Sequence, residues 1–288
     1  MQIRKPIFIL GSGRSGTTII YKTLCLHPDL CWFSNIVNGH PDHPELAFLN
    51  RLIEAPLIGP KIKHAIVTTA SPCLIGPSEG ESLYDYCGFH DSQKMTKRRF
   101  SKLIENKFKH IISVQLYATG KYRFINKRTA NTQRLEIIHA MFPDAYFVHV
   151  VRDGRAVVNS LLHVPWWNTL PIWWLNGKTP NDWISQGKNP VKLCALHWKY
   201  NVQEIVRHKK MFGKRYLEIR YEDFVNDVQG TVGTIMTFCQ LPCSASYMHA
   251  LRRTLPNFNN KWKQELTTQQ KAVLENTIGS FLHQLKYE

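Results

Sequence analysis

Two cationic clusters in this chain have the make-up of anion sites. The first is Gly11-Ser12-Gly13-Arg14-Ser15-Gly16-Thr17-Thr18. Glycines let a backbone curl tightly. The unpaired N–H groups of a helix's first turn, together with the helix dipole, then seat a phosphate. The spacing Gly11-x4-Gly16-Thr17-Thr18 copies a P-loop except at one position. Thr17 stands where a nucleotide kinase carries lysine, and a cation comes earlier, at Arg14. The second cluster is Val151-Arg152-Asp153-Gly154-Arg155, followed by Ser160. A cation at a strand's carboxyl edge and a hydroxyl about two helical turns on can close on one phosphate. The alternative is that Arg152 pairs with Asp153 or Glu222 and that Ser160 is an ordinary helix residue.

The elements that must hold these groups are legible in outline. Ile7-Phe8-Ile9-Leu10 reads as a strand buried on both faces, as in a parallel sheet. A helix from about Thr17 to Leu26 follows, and His27-Pro28-Asp29 stops it. Asn35–Pro44 reads as loop, Glu45–Ile53 as helical, and Ala55–Glu81 has no clear period. Ser92–Tyr117 is a basic amphipathic helical region with Phe100, Leu103, Ile104, Phe108, Ile111 and Ile112 on its apolar side. Strands are expected at Tyr122–Asn126, Ala145–Val151 and Arg215–Ile219. Helices are expected around Leu135–Phe142, Asp153–Leu162, Leu193–Arg207, Val228–Cys239 and Gln269–Leu285. Alternating strands and helices imply right-handed parallel crossovers with sites at the carboxyl ends of the strands. The expected fold is α/β: a P-loop-like three-layer arrangement, a central parallel sheet flanked by helices, in a single domain over residues 1–288. Insertions fall at about 35–120 and, rich in aromatics, at about 164–190.

Lysine and arginine exceed the acids, giving a formal net charge of +16 and a positive surface field. That suits an anionic ligand, an acidic substrate, nucleic acid or a membrane surface. No basic block is long enough for a nucleic-acid arm and no zinc-finger spacing occurs, so a nucleic-acid partner is not expected. Seven cysteines without a Cys-x-x-Cys read as reduced thiols in a cytoplasm. The chain opens almost directly on its first strand, leaving no room for a signal peptide, and no apolar run approaches the roughly 20 residues of a membrane span.

Together the two clusters resemble the nucleotide-dependent sulfotransferases, which use 3′-phosphoadenosine 5′-phosphosulfate (PAPS). The resemblance implies that Gly13, Arg14, Ser15, Gly16, Thr17 and Thr18 hold the 5′-phosphosulfate, and that Arg152 and Ser160 hold the 3′-phosphate. Phe142-Pro143-Asp144-Ala145, Arg220-Tyr221-Glu222-Asp223 and Asn260-Lys261-Trp262 look like further landmarks in matching order, implying nucleotide contacts at Tyr221 and Lys261. Arg-Ser-Gly-Thr-Thr, His27-Pro28-Asp29 and Asn126-Lys127 are most similar to the branch of tyrosylprotein and many bacterial carbohydrate or uncharacterised sulfotransferases. In the tyrosylprotein enzymes the loop arginine and the lysine of Asn-Lys contact the sulfuryl group and its leaving oxygen. This implies those roles for Arg14 and Lys127; the alternative for Lys127 is a solvated surface charge.

One departure stands out. Where the tyrosylprotein enzymes place a glutamate base after His-Pro-Asp, this chain has Asn35, whose amide cannot take a proton. The loops after the first helix offer His40, Asp42, His43, Glu45, Glu79 and Glu81 instead. Glu79, beyond the turn Gly76-Pro77-Ser78, is the first choice for base and His40 the second. His40-x2-His43 has no third ligand, and no metal is expected. Trp166, Trp167, Trp173 and Trp174 either stack on sugar rings, line an apolar acceptor pocket or pack the core of the insertion. The resemblance thus implies in-line sulfuryl transfer to an acceptor hydroxyl on a carbohydrate, lipid or other alcohol or phenol, driven by positioning and fixed positive charge. A P-loop kinase or NTPase, and a non-catalytic binder of anionic glycans, are the alternatives.

Overall fold

The computed structural model describes residues 2–68, 73–89, 94–95, 100–251 and 255–287. Five parallel strands form the sheet: β1 (Ile7–Leu10), β2 (Leu30–Cys31), β3 (Arg123–Lys127), β4 (Tyr146–Val151) and β5 (Tyr216–Arg220), in the order β2-β3-β1-β4-β5. β1 lies between β3 and β4, with Ile7 opposite both Ile125 and Tyr146. Every β1 residue is buried because side chains alternate into two apolar layers. Ile7 and Ile9 join Ile125, Val148 and Val150 on one face, while Phe8 and Leu10 join Phe124 and Phe147 on the other. Phe8 stacks on Phe147 with ring centroids 5.9 Å apart. This is the flanked parallel sheet that the strand–helix alternation predicts.

A third apolar cluster sits beyond the end of β4. It packs the helix Gly154–Leu162 against Pro190–Phe212 and Thr268–Gln284, with Trp167 and Ile172 of the aromatic insertion buried among them. The connection from β1 leads towards the β2 edge and that from β3 leads to β4 on the other side. Where connections diverge, a crevice opens at the carboxyl ends of the strands.

Several elements differ from expectation. Asn35–Gly39 is a short helix rather than loop: the Asn35 N–H donates to the Gly76 carbonyl at 3.0 Å and its side-chain amide to the Cys73 carbonyl at 2.8 Å. Tertiary bonds here override weak propensity. Gly59–Thr68, without a clear period in sequence, is an α-helix, and the segment expected as helix at Glu45–Ile53 is a 3-10 helix over Pro44–Glu54. β2, two residues long, is too short for any periodicity to reveal. The amphipathic region forms a helix over Lys102–Thr119, started by Ser101, whose side chain accepts from the Ile104 N–H. The parts of Ser92–Tyr117 at 92–93 and 96–99 lie outside the described residues. All seven cysteines are free thiols.

Candidate active site

The loop after β1 enters the helix Thr17–Leu24 through Gly16, which has φ of +82° and supplies no side-chain cap. A Cβ on Gly16 would stand 2.1 Å from the Tyr221 ring, and one on Gly11 2.8 Å from the Val150 carbonyl oxygen. Both positions need glycine for space as well as for backbone conformation. Arg14 itself adopts φ of +68°, the left-handed region that side chains disfavour. Two bonds hold it there: its carbonyl accepts from the Arg152 guanidinium at 2.9 Å, and its Nε donates to Ser160 Oγ at 2.9 Å.

Arg152, immediately beyond β4, is almost fully buried. Its guanidinium lies over the Tyr221 ring, 4.5 Å from the centroid, and its Nε donates to Asn259 Oδ1 at 3.0 Å. The alternative of a direct carboxylate partner does not describe this arginine. Asp153 is gripped by the Arg155 side chain, with contacts of 2.9–3.2 Å. Glu222 accepts from the Asp153 N–H, from Asn259 and from Tyr287. Among the described residues neither Arg14 nor Arg152 forms an ion pair with a carboxylate. Burial pulls the Arg152 guanidinium below its ordinary pKa, Tyr221 and Glu222 pull it back up, and Arg14 opposes them. Two guanidiniums without a described carboxylate partner facing one space give it a positive field.

Lys127 ends β3 and is 2% exposed. A lysine so deeply buried needs a partner, and it has one in the Glu79 carboxylate. Glu79 is delivered by a segment stitched beside Asn35. Ser34 bridges Pro77, the Ser78 N–H donates to the Phe33 carbonyl at 2.6 Å, and Asn126 Nδ2 donates to the Glu79 carbonyl at 3.1 Å. The missing acid at Asn35 therefore has a carboxylate in the neighbouring segment.

These groups line one cavity of about 850 Å3. Gly13, Arg14, Gly16, Thr17, Thr18, Glu79, Lys127, Arg152 and Tyr221 all face it. Ser15 sits behind the loop, 1% exposed, its hydroxyl without a partner. Ser160 is outside the lining: where the sequence suggests that it meets Arg152 on one phosphate, its hydroxyl braces Arg14 instead. Lys261 is exposed, its ammonium 4.9 Å from the Phe258 ring centroid, and Phe258 lines the cavity. His40 is not brought in. It is exposed at the end of the helix Asn35–Gly39, because that helix buries Val37 and turns its last residues to solvent. His43 pairs with Asp42 and Glu45, also away from the cavity, and among the described residues no three His, Cys, Asp or Glu side chains cluster as metal ligands.

Another part of the lining is apolar. Trp166, Leu170, Pro171 and Trp173 face the cavity, whereas Trp167 is buried against His197 and Trp174 packs on Tyr200. Two of the four tryptophans thus face the cavity and two pack inward. His197, Asn201, Val67, Lys22, Arg128 and Gln133 also line the cavity and carry no sequence motif. Burial lowers the Lys22 ammonium below its ordinary pKa. Burial also drops His197 to about 4.

A parallel α/β sheet with a glycine-rich loop after β1, a buried cation after β4 and a lysine at the end of β3, all on one cavity, is the arrangement of a group-transfer enzyme. Residues 6–245 match the Sulfotransferase family, and the chain belongs to it. The protein is a sulfotransferase: it transfers a sulfuryl group. Relatives include the omega-hydroxy-beta-dihydromenaquinone-9 sulfotransferases Stf3 of Mycobacterium bovis and Mycobacterium tuberculosis. Each is 22% identical over 98% of this chain and 75% of the relative. Among solved structures, the sulfotransferase STF9 from Mycobacterium avium superposes with TM-score 0.62 at 17% identity, over 100% of this chain and 78% of that one. The sulfotransferase domain from the curacin biosynthetic pathway gives 0.56 at 16% identity, over 100% and 99%. These likenesses carry the fold. No helix among the described residues is long and apolar enough to cross a membrane.

Proposed function

We propose that the sulfuryl donor is PAPS and that the acceptor is the hydroxyl of an apolar, lipid-like alcohol. The observation that carries the donor assignment is the junction of Arg14 and Arg152. The Arg152 guanidinium bonds the Arg14 carbonyl, and both cations face one cavity with no described carboxylate paired to either. The cradle fits such a ligand on its own terms: the Ser15 hydroxyl is buried without a partner, and no side chain caps the helix at Gly16. The loop N–H groups and Thr17 and Thr18 hold the 5′ end, and Arg152 holds the 3′-phosphate. Ser160 acts through Arg14 by fixing its side chain. Tyr221 sits between the two pockets, under Arg152 and against Gly16.

When bound, PAPS supplies a sulfur open to in-line attack and a bisphosphate leaving group. Lys127 and Arg14 keep fixed positive charge where negative charge builds. Glu79 takes the acceptor's hydroxyl proton on Oε2, since Oε1 is paired with the Lys127 ammonium. For the acceptor, the support is the wall of Trp166, Leu170, Pro171 and Trp173, together with the ω-hydroxylated lipid named for the mycobacterial relatives.

Titration calorimetry with adenosine 3′,5′-bisphosphate in the presence of EDTA tests the donor assignment. The expected result is metal-independent binding that Arg152→Ala weakens by about 1.5–3 kcal/mol, the scale of hydrogen bonds to a charged group. Unchanged affinity in the variant rejects PAPS as donor in this orientation. Transfer of labelled sulfate to long-chain alcohols, with none to sugars or peptides, checks the acceptor class.

A further inference from the structure

His197 lies on the helix Pro190–Phe212, one turn before Asn201. It lines the cavity beside Trp173, yet only 7% of the residue is exposed. One side of its ring packs edge-on against the buried Trp167, 4.8 Å between centroids. Nδ1 is sealed from solvent with no hydrogen-bond partner, and Nε2 is not among the sealed atoms. The ring therefore opens to the cavity through its Nε2 edge.

The tautomer follows from the sealed side. A proton on Nδ1 would be a buried N–H donor with nothing to receive it, a rarer arrangement than a bare lone pair. The proton belongs on Nε2, and the imidazole offers the cavity a donor. Burial lowers its pKa to about 4, so the ring stays neutral around pH 7. Neighbouring polar groups are already engaged. Asn201 Nδ2 donates to the His197 carbonyl at 2.7 Å, and Asn201 Oδ1 accepts from Trp173 Nε1 at 3.4 Å.

We propose that His197 Nε2–H is the hydrogen-bond donor of the acceptor subsite, and that the natural acceptor is an apolar alcohol carrying a second oxygen, a carbonyl or ether, that receives it. This rests on reading the cavity as the sulfuryl-transfer site. The surrounding wall is aromatic and aliphatic, so the bulk of the ligand is apolar. A ligand lacking the second oxygen covers the Nε2–H and leaves it unpaired, which is how a buried donor selects. His197 is a recognition residue, distinct from Glu79 and Lys127, which serve the reacting hydroxyl.

The test compares two probes that differ only in oxygen: naphthalene and naphthoquinone, each carrying the same ω-hydroxyalkyl chain. Binding is read from quenching of tryptophan fluorescence with adenosine 3′,5′-bisphosphate saturating. The wild-type protein is expected to bind the naphthoquinone roughly tenfold more tightly. His197→Phe is expected to erase that preference, and His197→Gln, which keeps a donor, to retain most of it. Equal wild-type affinities, binding of neither probe, or a preference that survives in His197→Phe overturns the proposal. The wild-type comparison needs no variant, so poor folding of His197→Phe does not shield it. If the bisphosphate itself fails to bind, the donor reading falls; if it binds and the probes do not discriminate, only this inference falls.

Discussion

One part of the cavity lining, Arg14, Thr17, Thr18, Arg152 and Tyr221, hangs from the carboxyl ends of β1, β4 and β5. Another part comes from further along the chain: Trp166, Leu170 and Trp173 from the aromatic segment, His197 from the middle of a long helix and Phe258 from a loop near the end of the chain. The first wall is made by backbone conformation and charge: a left-handed Arg14, a glycine pressed against Tyr221 and a buried guanidinium reaching Glu222 only through Asn259. The second is made by side-chain shape, with one neutral donor. The difference suits the two substrates proposed above. A nucleotide donor with fixed phosphates would demand fixed cations, whereas an acceptor's bulk would need only an apolar surface with a few polar marks.

The largest effect expected from this division concerns the group between the walls. Lys127→Ala should lower kcat by about 10²–10³, the scale for losing one fixed donor at a site of developing charge. Bisphosphate affinity should be nearly intact, because in the proposed site Arg14 and Arg152 hold the nucleotide. Single-turnover kinetics beside calorimetry separates the two. Loss of affinity equal to the loss of rate would move Lys127 into the proposed donor wall and leave Glu79 as the cavity's separate catalytic group. Glu79→Gln should lower kcat as well, and full turnover by that variant would exclude Glu79 as the base.

A second comparison sets two glycines of the same loop against each other. Gly16→Ala puts a Cβ 2.1 Å from the Tyr221 ring at φ of +82°, and Tyr221 carries Arg152 on its face. One substitution would thus disturb both proposed phosphate pockets, at a strain of about 1–3 kcal/mol, and should weaken bisphosphate binding at least tenfold. Gly13→Ala meets only Trp166, at 3.8 Å. It should leave nucleotide affinity within about threefold. Equal losses would show that the loop tolerates no side chain anywhere and that the two walls are not independent.

That the residues of the proposed donor wall come together was legible because they follow local rules: strand, glycine turn, helix start, and a cation where β4 ends. Glu79 was legible as a candidate through the turn before it, but its pairing with Lys127 was not, since that depends on Gly76–Ser78 docking beside Phe33–Asn35. His40 had the right chemistry in the wrong place, on a helix that the asparagines hid. His197 looked like one residue of an amphipathic helix. Its part emerges only when the insertion folds Trp167 against its ring and leaves Nδ1 sealed. Val67 and Phe258 have no local signal at all, being brought to the cavity by the packing of distant segments.

The smallest effect concerns the scaffold under the donor wall. His149 of β4 is fully buried, with Nδ1 2.7 Å from the Tyr216 hydroxyl, which donates to Glu218 at 2.9 Å on β5. The His149 ring, its Nδ1 3.5 Å from the carboxylate, holds Glu218 down at about 2 against the opposing effect of burial, and the Tyr216 bond adds to it. Burial lowers His149, against the pull of Glu218. Both folded pKa values are depressed, so both contributions are lost with acid. The histidine begins to favour the unfolded chain below its free pKa of about 6.5. The carboxylate's share is complete above about 4.3 and disappears as pH falls through about 2. Thermal melts should therefore show Tm falling from pH 7 towards 5, with a shallower slope in His149→Phe, and a second fall below pH 4.5 that Glu218→Gln lacks. Because β4 and β5 lead directly into Arg152 and Tyr221, bisphosphate affinity at pH 5 should decline with Tm. An acid fall in Tm with identical slopes in wild type and both variants would place the sensitive groups outside this strand pair, and the donor wall would owe nothing to it.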